Sequence, residues 1–121
     1  MRTTIAAIEK AIAGEIKSFE ELGINRTLFW AYKKSKHAGN DIINFYDVIW
    51  NDDIEEIAKN LNENGINEFS ISSNFSGLIT TLAEFDKLGF TMAGIIDVTE
   101  TYIDWTTNEL AVAKAIRMVR K

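Results

Sequence analysis

The run Glu68-Phe69-Ser70-Ile71-Ser72-Ser73-Asn74-Phe75-Ser76-Gly77 changes backbone period partway along. Over 68–73 polar and apolar residues alternate, which indicates a short strand polar on one face. From Ser76 onward the apolar residues Leu78, Ile79, Leu82 and Phe85 recur at helical steps and are expected to face inward. Ser76 is placed to cap that helix and Gly89 to end it. The β-branched stretch from Thr91 to Tyr102 then reads as a longer strand. Upstream, Asp53-x-x-Glu56 has the form of a capping box and opens a helix with Ile54, Ile57 and Leu61 on its buried stripe. Asn64-Gly65 stops it. Helix–strand–helix–strand is the βαβ pattern, which implies parallel pairing.

Two segments beside this unit read both ways. Ile43 to Trp50 is aromatic and β-branched enough for a strand leading into the 53–64 helix, and strand is the reading adopted. Yet Ile43, Tyr46, Trp50, Ile54, Ile57 and Leu61 also follow helical steps. From Leu110 to Lys121, strong helix formers follow a capping Asn108, but Val112, Ile116 and Met118 also fit the alternation of a strand. Periodicity leaves that segment open.

The first third reads as helical. Ile5, Ile8, Ile12, Ile16 and Phe19 make one stripe, weakened at Gly14 and interrupted by a capping-box pattern, Ser18-x-x-Glu21, before Gly23. Asn25 caps a second helix from about Arg26 to Ala38, closed by Gly39. Lys33, Lys34, Lys36 and His37 sit toward its end, where the helix dipole favours cations. The fold class expected is α/β or α+β: an N-terminal helical hairpin on a small mixed sheet of three to four strands with βαβ connections. It makes one domain, a helical layer over 1–40 and an α/β core over 41–121.

Composition excludes several functions. With 121 residues, 46% hydrophobic and 26% charged, the chain has the profile of a globular domain. No apolar run approaches the roughly 20 residues of a membrane span, and Glu9 and Lys10 interrupt the first stripe where a signal peptide is continuous. A cytoplasmic protein is expected. The absence of cysteine removes disulfides, thiolate metal sites and thiol catalysis. No proline interrupts the chain. The net charge of −5 conceals a segregation, with basic residues in 1–40 and 110–121 and acids concentrated between. Such a chain either pairs its ends with its middle or presents a basic and an acidic face. Nucleic-acid binding is disfavoured, because the acids repel phosphates.

Asp47-Val48-Ile49-Trp50 and Gly65-Ile66-x-Glu68-Phe69-Ser70-Ile71-Ser72-Ser73 are similar to a family of small uncharacterised bacterial proteins. Phe75-Ser76-Gly77-Leu78-Ile79, Tyr102-x-Asp104-Trp105 and Ala115-Ile116-Arg117-Met118 add to the likeness. The resemblance spans roughly residues 20–120 and implies a setting on integrative and conjugative elements and prophages. It implies no activity.

Candidate sites are few. His37 is the only histidine. It lies among lysines that favour its neutral form, with no nucleophile elbow beside it. The loop Ser72, Ser73, Asn74 and Ser76 leaves a strand and enters a helix, the place where open α/β sheets collect small ligands and where free N–H groups receive an anion. Helix capping selects the same residues, and no GxGxxG or GKS/T is present. Asp52 and Asp97, with Asp53, meet at the same edge if both preceding segments are strands, a carboxylate pair suited to Mg²⁺. Phe29, Trp30, Lys33, Lys34 and Lys36 give one short helix an aromatic–basic face, and Trp105 lies in a turn over Asp104–Asn108. Exposed tryptophans mark binding hot spots, though docking of the helix on the sheet also accounts for these rings. The reading adopted is a non-enzymatic protein-interaction accessory with no cofactor, binding a protein partner through the aromatic–basic helix. The alternative is a small-ligand or phosphate site at 72–77, with Mg²⁺-dependent hydrolysis as one form of it. A homodimer through Trp30 and Trp105 is a third possibility.

Overall fold

The computed structural model describes residues 25–73 and 75–121. The first helical stripe, Gly14, the Ser18-x-x-Glu21 pattern and Asn74 lie outside them. Among the described residues the order is α1 (Arg26–Ala38), β1 (Asn44–Phe45), α2 (Asn51–Glu63), β2 (Glu68–Ile71), α3 (Leu78–Lys87), β3 (Phe90–Asp104) and β4 (Glu109–Arg120). They form an α+β fold around one four-stranded mixed sheet of order β1-β2-β4-β3. No described helix is long and apolar enough to cross a membrane.

α1 begins and ends where its sequence punctuates it. The Asn25 side chain accepts from the amides of Thr27 and Leu28 at 2.9 and 3.2 Å, and Gly39 closes the helix at φ +83°. Leu28, Ala31, Tyr32, Ser35 and Ala38 form the buried stripe. α2 starts earlier than its capping box predicts. Its N-cap is Trp50, which supplies no side-chain bond, and Asp53 and Glu56 turn outward to α1 instead. There they accept from Asn25 Nδ2, and Asp53 also accepts from Thr27 Oγ1 at 3.1 Å. The carboxylates are worth more to the neighbouring helix end than to their own, since an uncapped α2 keeps its first amides within reach of water.

The strand expected over 43–50 shortens to two residues, because α2 takes the chain from Asn51. β1 still pairs in parallel with β2, aligning Asn44 with Ser70 and Phe45 with Ile71. The segment 110–121 is a strand through Arg120. β4 inserts between β2 and β3, antiparallel to both, so β2 and β3 run parallel without touching. The second βαβ crossover therefore skips one strand, while the first joins adjacent ones. The basic end of the chain meets acids of β2, β3 and α3. Arg117 meets Glu68 at 2.8 Å, Lys114 meets Asp97 at 2.6 Å, and Lys121 meets Asp86 at 3.1 Å.

Register places Phe45, Phe69, Ile71, Ile116 and Met118 on one face and Asn44, Ser70 and Arg117 on the other. Phe69 is the hub of the first face, with ring centroids of Phe45, Phe85 and Phe90 at 5.5, 5.0 and 5.3 Å. α3 delivers Phe85 through a helix start that Ser76 does not cap: the N-cap is Gly77, without a side-chain bond. Ile79, expected inward, is 81% exposed, because Thr81 takes the buried position on that turn. On the opposite face Ser35, Asn44, Ser70 and Ser72 form one hydrogen-bonded chain, with Asn44 donating to Ser72 Oγ and accepting from Ser70 Oγ.

β3 and β4 continue far beyond the end of β2 as a two-stranded arm, with register shifts at Met92/Gly94 and Thr99/Ile103. Such bulges bend a ribbon and raise its twist. The arm is pinned near the second shift. Asn40 donates to Thr99 O and accepts from Thr99 N, both at 3.0 Å, and the Tyr46 hydroxyl donates to the same carbonyl at 2.6 Å. At the tip Asp104 accepts from the amide and hydroxyl of Thr106, and Asn108 takes φ +60°.

Candidate functional site

A groove of about 490 Å³ runs between the outer side of α1 and the connection from β1 to α2. α1 contributes Arg26, Thr27, Trp30, Ala31 and Lys34, and the connection contributes Tyr46, Asp47, Val48 and Trp50. The helix presents Trp30 there because Leu28, Ala31 and Tyr32 have claimed the inward stripe. Trp50 is 68% exposed, held at the junction where β1 ends and α2 begins. Two indoles thus flank a depression whose carboxylates are satisfied internally: Lys34 holds Asp47 at 2.6 Å, and Asn25 and Thr27 hold Asp53. Lys33 stands over the Phe29 ring at 5.8 Å, and Phe29 meets Trp30 edge-on. The arrangement suits an apolar anchor from another molecule, since tryptophan supplies large area at low entropic cost.

Of the residues singled out for a partner, Trp30 and Lys34 line this groove, Phe29 and Lys33 adjoin it, and Lys36 lies on the last turn of α1. Trp105 is elsewhere, at the tip of the β3–β4 arm, and is 96% exposed. Trp50 and Asp47 were missed by the sequence reading. The signal for Trp50 was an apolar residue immediately before a helix start, where a capping side chain is the usual occupant.

A second groove of about 530 Å³ shares Val48 and Trp50 with the first. Asn51 and Asp52 line it from the start of α2, and Phe75, Ser76 and Gly77 from the loop before α3. The connections at the carboxyl ends of parallel β1 and β2 therefore face one depression, as this topology leads one to expect. Ser72 is occupied otherwise: its amide donates to Phe45 O and its hydroxyl accepts from Asn44. Ser73 Oγ is buried without a partner. Asp97 is not beside Asp52. It pairs with Lys114 on the arm and borders a third cleft with Asn40, Glu68 and Arg117. Among the described residues no three His, Asp or Glu side chains gather as a metal-binding group.

Among the described residues two groups depart from their ordinary acidity. Tyr46 is raised above 10.0, chiefly by burial and then by the Glu100 charge, against which its hydrogen bonds act only partly. Asp104 is lowered by the side-chain and backbone bonds from Thr106 that form the tip turn.

Residues 27–120 match the model of a domain of unknown function, DUF7698, and the chain belongs to that family. The match takes in both grooves and the whole arm. No curated protein and no solved structure matches the chain.

Proposed function

We propose that this chain is a non-enzymatic protein-interaction accessory, acting in the cytoplasm, that holds a protein partner against the outer face of α1. The observation that carries the reading is the pair of exposed indoles, Trp30 and Trp50, across one groove. Aromatic anchors in a preformed depression are the usual energetic centre of an interface. Lys33 and Lys36 beside it supply positive charge that favours an acidic partner. The likeness of 47–50, 65–73 and 75–79 to small bacterial proteins of mobile elements supports an accessory role in that setting, acting on a host or element-encoded protein. The test is affinity capture from nuclease-treated lysate of the natural host with wild type, Trp50→Ala and Lys33→Glu/Lys36→Glu. One partner retained by wild type and lost by both variants is expected. Capture unchanged in both would remove the α1 face from the account.

A second reading rests on the other groove. Phe75, Ser76 and Gly77 of the loop before α3 and Asp52 face a depression at the carboxyl ends of two parallel strands, which favours a small anionic ligand or a magnesium-assisted phosphate site. Thermal shift against phosphates, nucleotides and Mg²⁺ discriminates, because a ligand at a hundred times its Kd adds about 2.7 kcal/mol. A shift in that panel together with empty capture would favour this reading over the first.

A further inference from the structure

We propose that the α1 groove receives the β3–β4 tip of a second copy of this chain, each copy giving its tip to the other. The inference rests on the reading of that face as a protein-docking surface and names its partner. The tip has the form of a ligand. Trp105 stands at its apex in the turn 105–108, touching almost nothing of its own chain, and exposed Tyr102 and Ile103 lie just behind it. An indole left 96% in water is an unused anchor of the kind that dominates interfaces.

Charge selects where the tip goes. Residues 98–113 carry Glu100, Asp104 and Glu109 and no lysine or arginine, whereas 26–38 carry Arg26, Lys33, Lys34 and Lys36 and no acid. Tip against tip would oppose like charges, and helix against helix likewise. Tip against helix aligns opposite ones. Within the groove Asp47 and Asp53 offset Arg26 and Lys34, so the net positive charge of this face is that of Lys33 and Lys36 on the same helix. Because every copy owns one tip and one groove, reciprocal exchange about a two-fold axis satisfies both and closes. The clamp of Asn40 and Tyr46 on Thr99 fixes the base of the arm and leaves the tip beyond it to reach outward.

Sedimentation velocity over roughly 1 to 300 μM, the range in which a small aromatic-anchored interface half-saturates, tests the proposal. Wild type is expected to pass from monomer to dimer. Trp105→Ala, which removes only an exposed ring, should weaken association about 30-fold at each of the two contacts, about 1000-fold in all, since both copies lose a hot-spot tryptophan. Two charge variants complete the test. One reverses the helix face, Lys33→Glu/Lys36→Glu, taking its net charge with Asp47 and Asp53 counted from +2 to −2. The other reverses the tip, Thr101→Lys/Asp104→Asn/Glu109→Lys, in which the introduced amide oxygen keeps an acceptor for Thr106. Each alone should remain monomeric, and an equimolar mixture should restore the dimer, because both contacts are then again between opposite charges. A wild type that stays monomeric throughout, or a dimer indifferent to Trp105→Ala and to the charge variants, overturns the proposal. Lysate capture that still depends on Trp50 in a monomeric protein would leave the docking reading standing and sink only the identity of the partner.

Discussion

β2 and β3 belong to the same sheet and are built on opposite physical terms. β2 is four residues long, lies between two strands, and buries Phe69, Ser70 and Ile71 completely or nearly so. β3 is fifteen residues long, lies at the edge, and leaves Met92, Ile95, Tyr102 and Ile103 largely in water. One is held by packing on both faces. The other is anchored in the core by Phe90 at its start and Val98 midway, and beyond them is held by its ladder to β4 and by the clamp on Thr99. Burial sets how much a position contributes, so the short strand should carry the stability and the long one should be free to serve another purpose.

The sharpest way to break that contrast is a pair of truncations. Phe69→Ala removes the ring on which Phe45, Phe85 and Phe90 converge and should cost about 3–5 kcal/mol, enough to threaten folding of a small domain. Ile95→Ala on β3, at 60% exposure, should change stability by no more than about 0.5 kcal/mol. Urea denaturation of both variants gives the comparison directly. Similar losses would mean that the arm is as much a part of the core as β2.

The polar face of β2 comes next. Asn44→Ala removes the acceptor for Ser70 Oγ and the donor to Ser72 Oγ, leaving a fully buried hydroxyl without its partner. The expected cost is about 2–3 kcal/mol. Asn44→Asp should do no better, since the buried carboxylate cannot donate to Ser72 at neutral pH. A loss below about 0.5 kcal/mol in Asn44→Ala would show that water replaces the side chain and that this face is looser than its burial suggests.

How far the sequence revealed these features follows from how local each is. α1 was legible to the residue, because Asn25 and Gly39 act on the backbone beside them. The hub position of Phe69 was legible in part, through the alternation of 68–73. The start of α2 was not, because Asp53 and Glu56 look like a capping box and in fact serve Asn25, a partner far away in sequence. The strand order was hidden for a similar reason. Periodicity left 110–121 open between helix and strand, and only the pairing of Lys114 with Asp97 on β3 and of Arg117 with Glu68 on β2 shows why it belongs between them. Among the residues that line the α1 groove, Trp30 and Lys34 were singled out as part of an aromatic–basic helix face. Trp50 was obscured by a stripe that fits it equally well to a buried position. Trp105 was found as a turn residue, but its separation from Trp30 within one chain depends on the length of the arm, which no local pattern encodes.

A smaller loss than those at Phe69 and Asn44 is expected at the join between the two regions, and it sharpens the comparison most finely. Tyr46→Phe removes the hydroxyl that donates to Thr99 O and receives a hydrogen bond from Asn40, and should cost about 1 kcal/mol. The loss should be local: amide exchange should quicken in the arm around Thr99 while β2 keeps its protection. Raising the pH does the same to wild type. Burial and Glu100 hold the Tyr46 phenol above its ordinary value of 10.0, so the folded chain binds this proton more tightly than the unfolded one. Stability from this group is therefore full below about pH 10, falls as pH rises, and is gone once the folded pKa is passed. Ultraviolet titration should show one tyrosine ionising above 10.0, with arm amides exchanging faster in step with it once the exchange rates are corrected for hydroxide catalysis. In Tyr46→Phe the step should vanish. If it persists, another group joins the arm to the core, and the division between a packed half and a tethered one has been drawn at the wrong residue.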